Sequence, residues 1–427
     1  MSRHGSAHRT AIVILVCLTL LKLAAWTALQ SRGKVHTFVG DNATTFYIPI
    51  ARRLLTEGRF NGPDSRGDSK VPPGYPLLVA GSMAVSGNSY QQLIPLLQML
   101  MDLATALILY WAMFRLSLPK TGILAGCIWL LYPPAIAIST WITAEPAFTT
   151  LFTLGLALFA ISAEKQNGKL AFAAGLVMGC ATLFRGTPLV LPLALLPACW
   201  KTDGLQRWAL FTAGMALLVT PWCVRNLLVL DELIPVATGT GSVILQGSDE
   251  RFFTGEGKRT LYPSTIAAAA ADGVIKPATD HESKLDGWLG KIGWWVQLQR
   301  LKRRPLSLIP FFAHKFVRVW YGTESGGFRQ QAVLGFCSLL VAPAGFWELW
   351  KWRKIHAGAA YVLLSAVAYI VVMHMFLLPE ARYTLPIVPT LILGASAQLA
   401  RLGIFHRVTD HAPSRRYAVA PEMPLAD

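Results

Sequence analysis

Charge is what this sequence has least of. Only 15% of its 427 residues are Asp, Glu, Lys or Arg, where a water-soluble domain carries about 25%. A soluble fold of this length needs far more polar surface. Acid is the scarcer sign: 23 Asp and Glu stand against 39 Lys and Arg, a formal net charge of +16. Cysteine is sparse as well. Cys17, Cys127, Cys180, Cys199, Cys223 and Cys337 all fall in apolar blocks with no CxxC pair, so they give no disulfide framework and read as small buried hydrophobes. There is no GxxxxGK[ST], HExxH or GxSxG, which leaves phosphate-loop, zinc-protease and serine-hydrolase chemistry without a carrier. His36, His281, His314 and His374 are scattered without metal-ligand spacing. No metal or other cofactor is assigned; loop carboxylates are the one place left where a divalent ion could sit. No internal repeat is detectable.

What is present is apolar. Hydrophobic residues make up 53% of the chain and the mean hydropathy is +0.45. They come in blocks long enough to cross a bilayer, which takes roughly 20 residues per helix. The expected fold is an all-α polytopic membrane protein of about ten spans. They lie near 11–29, 91–114, 121–140, 146–163, 169–184, 187–200, 208–224, 331–349, 357–377 and 384–400. The first, after Arg3 and Arg9, is long for a signal peptide and lacks a small-residue cleavage site, so it reads as a retained span.

Lys and Arg cluster at span ends, which points to topology and lipid contact rather than nucleic acid, for which no basic stripe or reading motif exists. With the N-terminus inside, the inner connections hold Arg115 and Lys120, Lys165 and Lys169, Lys201 and Arg207, then Lys351, Arg353 and Lys354. The tail adds Arg401, Arg407, Arg415 and Arg416, while Arg185, Arg225 and Arg382 stand alone at outer ends. Both termini are thus expected in the cytoplasm. The divisions expected are an N-terminal transmembrane module 1–224 with a first outer loop at 30–90, a large outer loop 225–329, C-terminal spans 330–400 and a tail 401–427.

In the first outer loop, Phe46, Ile50 and Leu54 recur at helical spacing opposite Arg52 and Arg53, the pattern of a helix lying in the interface. Pro72, Pro73, Gly74 and Pro76 then break the chain, and 77–85 is too short to span. In the second, 284–303 and 306–321 read as helices, the latter interfacial.

The polar residues worth singling out gather at the outer ends: Asp41, Lys70, Glu145, Arg185, Arg225, Asn226, Glu380, Arg382 and Tyr383. Taken singly, each is more often an interfacial anchor or a structural ion pair. Together they suggest a cavity for an anionic lipid headgroup: Lys and Arg for a phosphate, and a carboxylate to take a proton from an acceptor hydroxyl. Asn42–Ala43–Thr44 is a formal glycosylation sequon, but it adjoins Asp41 and its use is not expected.

Read in order, Asp41, "VPPGYPLL" (71–78), "ITAEPAFT" (142–149), "LFRGTPLVLP" (183–192), the PWxxRN-type element at 221–226, "HKFVRVWYG" (314–322) and the ExRY-type element at 380–383 resemble the C-type (GT-C) membrane glycosyltransferases. The branch most similar is the bacterial protein-mannosyltransferase and aminoarabinose-transferase-like group, over about 38–393. The resemblance implies a sugar donor carried on a polyprenyl phosphate, used on the non-cytoplasmic face of a bacterial inner membrane. It also implies a catalytic carboxylate in the first outer loop, which falls on Asp41. Lys70 matches a basic residue that meets the donor phosphate, with Arg185, Arg225 and Arg382 as further candidates for that phosphate. Glu145, Tyr75, Asn226, Glu380 and Tyr383 fall on positions lining the cavity. One departure is that Asp41 is followed by Asn42, where the protein-mannosyltransferase branch carries an Asp-Glu pair.

The mechanism expected is a single inverting displacement. The partners expected are the lipid-linked sugar, membrane lipids and an acceptor lipid, glycan or protein. The rival is a transporter or flippase of lipid-linked sugars, since intramembrane charges also mark transporters. Against it, 208–224 and 357–377 contain no Asp, Glu, Lys or Arg.

Overall fold

The computed structural model describes residues 2–60, 69–202, 204–254, 258–278, 281–323 and 326–401. The tail positions Arg407, Arg415 and Arg416 lie outside them. Among the described residues there is no strand; one isolated bridge joins Phe38 to Trp141.

Apolar runs without water to hydrogen-bond their backbone must form helices, and they do. In chain order these are α1 (Ser2–Ser31), α2 (Ile48–Glu57), α3 (Gly74–Ser86), α4 (Tyr90–Arg115), α5 (Pro119–Leu131), α6 (Pro133–Ile138), α7 (Glu145–Lys165), α8 (Gly168–Phe184) and α9 (Leu191–Lys201). There follow α10 (Leu205–Leu230), α11 (Thr240–Gly247), α12 (Glu250–Phe253), α13 (Lys258–Ala271), α14 (Glu282–Arg303), α15 (Leu308–Arg318), α16 (Phe328–Trp352), α17 (Ala357–Phe376) and α18 (Val388–Arg401). Six segments among the described residues are long and apolar enough to cross a membrane, and four shorter apolar helices accompany them. All ten expected spans are therefore helical, and the protein is a multi-pass, all-α membrane protein.

The differences are local. The span expected over 121–140 is broken: Tyr132 is extended (φ −69°, ψ 113°) before Pro133. Proline removes an amide donor and disfavours helix in the residue before it, which ends α5 there. The short stretch 77–85 lies within α3, which a single 3-10 turn joins to α4, so the two form one apolar segment of 42 residues. The interfacial helix expected over 306–321 is the shorter α15, and the helix of the first outer loop opens with a π-helical turn at Ala43–Tyr47.

Helix packing follows membrane rules, with small residues where backbones meet. A Cβ on Gly175 of α8 would lie 2.0 Å from the Phe211 carbonyl of α10, and one on Gly214 would lie 2.4 Å from that of Phe172. This contact fixes the end of α8, and with it Arg185.

The side-chain contacts sort the helix ends into two sets. At one end, Glu145 pairs with Arg185 and Arg185 meets Tyr383. At the other, Glu164 lies 3.6 Å from His356, Glu348 lies 2.6 Å from Arg401, and Lys201 sits 4.9 Å over Tyr361.

Candidate active site

The first set of ends carries a dense polar group. Glu145 is the first residue of α7, 4% exposed. A carboxylate suits a helix N-terminus, where the peptide dipoles point their positive end. It is held by the Thr143 hydroxyl and by the guanidinium of Arg185. Arg185 follows α8 in an extended conformation (φ −148°, ψ 127°), which turns it toward α7. Its guanidinium lies 4.8 Å from the centre of the Tyr383 ring.

Arg382 approaches the same ring. Its guanidinium is 4.9 Å from the Tyr383 centroid, and its Nη2 donates to the Tyr383 hydroxyl at 3.0 Å. Arg382 also pairs with buried Glu380 at 2.7 Å. Two guanidinium groups, separated by about two hundred residues of sequence, thus share one aromatic ring, each with its own carboxylate. His374 of α17 stacks on that ring, centroids 5.0 Å apart. The side chains of Arg185 and Arg382 remain 22% and 29% exposed.

Tyr47, in the π-helical turn of the first outer segment, completes the group. Burial pushes its hydroxyl well above the usual tyrosine range, and Glu145 adds to this while Arg185 and Arg382 oppose it. The phenol therefore stays neutral. Tyr47 meets Tyr75 edge-on at 4.8 Å, and fully buried Tyr75 donates to Gln98 at 3.0 Å. Gln98 in turn donates to the Ser139 and Trp141 carbonyls at 2.9 and 2.6 Å. Ser139 donates to Asp102 at 2.5 Å, and Asp102 pairs with Lys22 of α1. A buried polar network thus supports the first outer segment from beneath.

The remaining sequence-predicted residues lie around this group. Asp41 is exposed, six residues before Tyr47, about 9 Å of helix. Its carboxylate makes no hydrogen bond or ion pair among the described residues. Lys70 lies where the two outer segments meet, its Nζ 3.3 Å from Glu282 at the start of α14. The PWxxRN-type element proves to be a clip. Trp222 donates to the Val236 carbonyl at 2.8 Å, Arg225 to that of Phe60 at 2.8 Å, and Asn226 to that of Ile234 at 2.9 Å. Arg225 also lies over Trp222 and Phe60, so it ties α10 to the first outer segment. Among the described residues no cluster of His, Cys, Asp or Glu could hold a metal ion.

Sequence reasoning passed over Tyr47, Lys22, Asp102 and Ser139. Lys22 and Asp102 carried a usable signal: each is a charge inside an expected span, where ionisable groups are costly and find partners. Tyr47 carried none.

Residues 70–224 match the family described as Dolichyl-phosphate-mannose-protein mannosyltransferase. A search of curated proteins found no match. Among solved structures, the fold is similar to that of the Archaeoglobus fulgidus oligosaccharyltransferase tethered with an acceptor peptide containing the NVT sequon. The TM-score is 0.58 at 12% identity, over 96% of this chain and 51% of that one. The chain thus spans about half that protein's length. ArnT from Cupriavidus metallidurans, bound to undecaprenyl phosphate, aligns over 96% of this chain and 82% of its own at 15% identity, with a TM-score of 0.41.

The fold is similar to that of the oligosaccharyltransferase, and the stretch that matches the mannosyltransferase family, 70–224, takes in Glu145 and Arg185.

Proposed function

We propose that this chain moves a sugar from a polyprenyl-phosphate donor to an acceptor hydroxyl on the extracytoplasmic face of a bacterial inner membrane. The observation that carries the reading is the meeting of Arg185 and Arg382 on Tyr383. Guanidinium groups suit phosphate oxygens bidentately, and both arginine side chains remain partly exposed. The family description over 70–224, a dolichyl-phosphate-mannose enzyme, supports a lipid-phosphate sugar donor. Both termini are assigned to the cytoplasm, and the 225–329 segment to the outer side, where it contributes to acceptor choice.

In this reading the acceptor oxygen attacks the anomeric carbon from the face opposite the phosphate, inverting it. The bond from that carbon to the phosphate oxygen breaks, and its electron pair leaves with the polyprenyl phosphate. Arg185 and Arg382, with Lys70 at the junction of the outer segments, stabilise the developing charge. Asp41 takes the acceptor's proton, in keeping with its exposure and with its carboxylate having no partner among the described residues. Glu145 and Glu380 hold the arginines in place, and Tyr47, Tyr75 and Tyr383 wall the group. Arg225 and Asn226 shape the outer segments rather than contact phosphate.

A lipid-linked-sugar flippase is the second reading, and the buried Lys22–Asp102 pair is the feature that favours it. Purified protein in liposomes, given a panel of radiolabelled polyprenyl-phosphate sugars, separates the two. Transferase activity releases polyprenyl phosphate and labels a new acceptor. Movement of intact donor across the bilayer without cleavage would replace this proposal with the flippase.

A further inference from the structure

Lys315 is 1% exposed and forms no ion pair among the described residues. It lies on α15, in the outer segment that follows α10. Its Nζ donates to two backbone carbonyls, those of Gly247 at 2.8 Å and Leu377 at 2.6 Å. Gly247 is the last residue of α11, and Leu377 caps the C-terminus of α17. A helix C-terminus carries unpaired carbonyls and partial negative charge, so a cation there is favourable. The opposite end of α11 is capped by the opposite charge. Buried Asp286 of α14 accepts from the Gly241 and Ser242 amides at 2.8 and 3.0 Å.

Leu377 begins the short stretch that ends in Arg382 and Tyr383. The outer segment grips this stretch a second time. The Ala381 amide donates to the Gly322 carbonyl at 2.9 Å, and a Cβ on Gly322 would lie 2.8 Å from the Pro379 carbonyl. At the first grip, a Cβ on Gly247 would lie 2.2 Å from the Leu377 carbonyl. Both contacts require glycine because backbone meets backbone. Arg318, one turn along α15, donates to the Phe253 and Thr323 carbonyls at 2.9 and 3.0 Å, which fixes the strap that ends in Gly322.

We propose that Lys315 is a positioning residue: by joining the ends of α11 and α17 it fixes the 377–383 stretch, and so couples the order of the large outer segment to the placement of Arg382 and Tyr383. The consequence for phosphate binding rests on the functional reading above; the coupling itself does not. An acceptor that orders or displaces the outer segment would then tighten or loosen the arginines through these two grips.

The test uses the full chain in lipid nanodiscs, with amide hydrogen exchange and undecaprenyl-phosphate binding as separate readouts. Lys315→Met keeps a similar volume and removes both donors. Gly322→Ala attacks the other grip without touching Lys315. Both variants are expected to speed exchange at 377–384 by about tenfold while α8 stays as in the parent. The affinity for undecaprenyl phosphate is expected to fall by roughly tenfold in each. Unchanged exchange at 377–384 overturns the proposal. So does an equal rise across α8, which would mean general destabilisation. A parent protein that does not bind undecaprenyl phosphate overturns the functional reading instead, and the exchange result still decides the coupling.

Discussion

Glu145 and Arg185 form an ion pair that joins the N-terminus of α7 to the end of α8, and Arg185 carries that anchor onto Tyr383. Glu145 is almost fully buried, while Arg185 keeps 22% of its side chain exposed, at a point where three elements meet. Removing one partner of a buried pair leaves the other charge uncompensated, at a cost of about 3–5 kcal/mol. Glu145→Leu is therefore expected to lower stability by roughly that amount. Glu145→Leu combined with Arg185→Met should recover much of it while phosphate binding stays lost. Denaturant titration and undecaprenyl-phosphate binding on the same preparations check both parts.

Arg382 lies in the 3-10 turn Ala381–Tyr383 and pairs with buried Glu380. Arg382→Gln strands that carboxylate, so it is expected to lower the melting temperature and to weaken undecaprenyl-phosphate binding by about tenfold, as loss of a charge-assisted contact implies. Binding measured at two salt concentrations should show a smaller salt dependence in the variant.

Lys22 and Asp102 test the buried network. Asp102→Asn strands the Lys22 ammonium and is expected to destabilise by about 3 kcal/mol. Lys22→Met with Asp102→Leu removes both charges and is expected to be near neutral in stability. The double variant also removes the link from Ser139 to α4, leaving its hydroxyl only the Ala135 carbonyl at 2.8 Å, so exchange at the Tyr47 segment should rise modestly. Thermal unfolding in detergent and local exchange measure the two effects. Intact-donor translocation, assayed in parallel, should be absent from parent and variant alike.

Lys315 gives a pH dependence. Burial, with Arg300 nearby, lowers its pKa from 10.5 to about 7. Below about 7 the amine is protonated in folded and unfolded chains alike. Between about 7 and 10.5 the folded state holds it neutral while the unfolded state binds a proton. The unfolded state thus binds more protons there, and stability rises with pH across that window. Melting temperatures from pH 7 to 10 should climb more steeply in the parent than in Lys315→Met. Arg300, Arg318 and His374 also surround this site, so the difference between the two chains is the quantity to read.

The fold was largely legible because membrane spans are written as length and apolarity, which need no partner to be recognised. The ten expected spans became helices for that reason. The break at Tyr132–Pro133 was visible as two prolines, yet lay inside an apolar run that masked it. The site was legible only in part. Glu145, Arg185, Arg382 and Tyr383 stood out as charges and aromatics at one side of the membrane, and they meet. Arg225 and Asn226 stood out equally and serve as a clip, because a motif records chemistry but not which backbone carbonyls lie near it. Tyr47 and Lys315 could not be found by pattern. Their roles depend on contacts with residues 28 and 62 positions away (Tyr47 with Tyr75, Lys315 with Leu377), which only the packed chain reveals.

Sugar transfer at this site, with Asp41 taking the acceptor's proton, is the proposal that most needs a direct measurement. The direct measurement is transfer by purified parent protein and Asp41→Asn, using the polyprenyl-phosphate sugar on which the parent is active. Asp41 is exposed and its side chain has no partner among the described residues, so the variant should fold and bind undecaprenyl phosphate as the parent does. Its transfer rate should fall by about 100-fold or more, the contribution of a positioned general base. An Asp41→Asn protein that transfers at the parent rate would contradict the account.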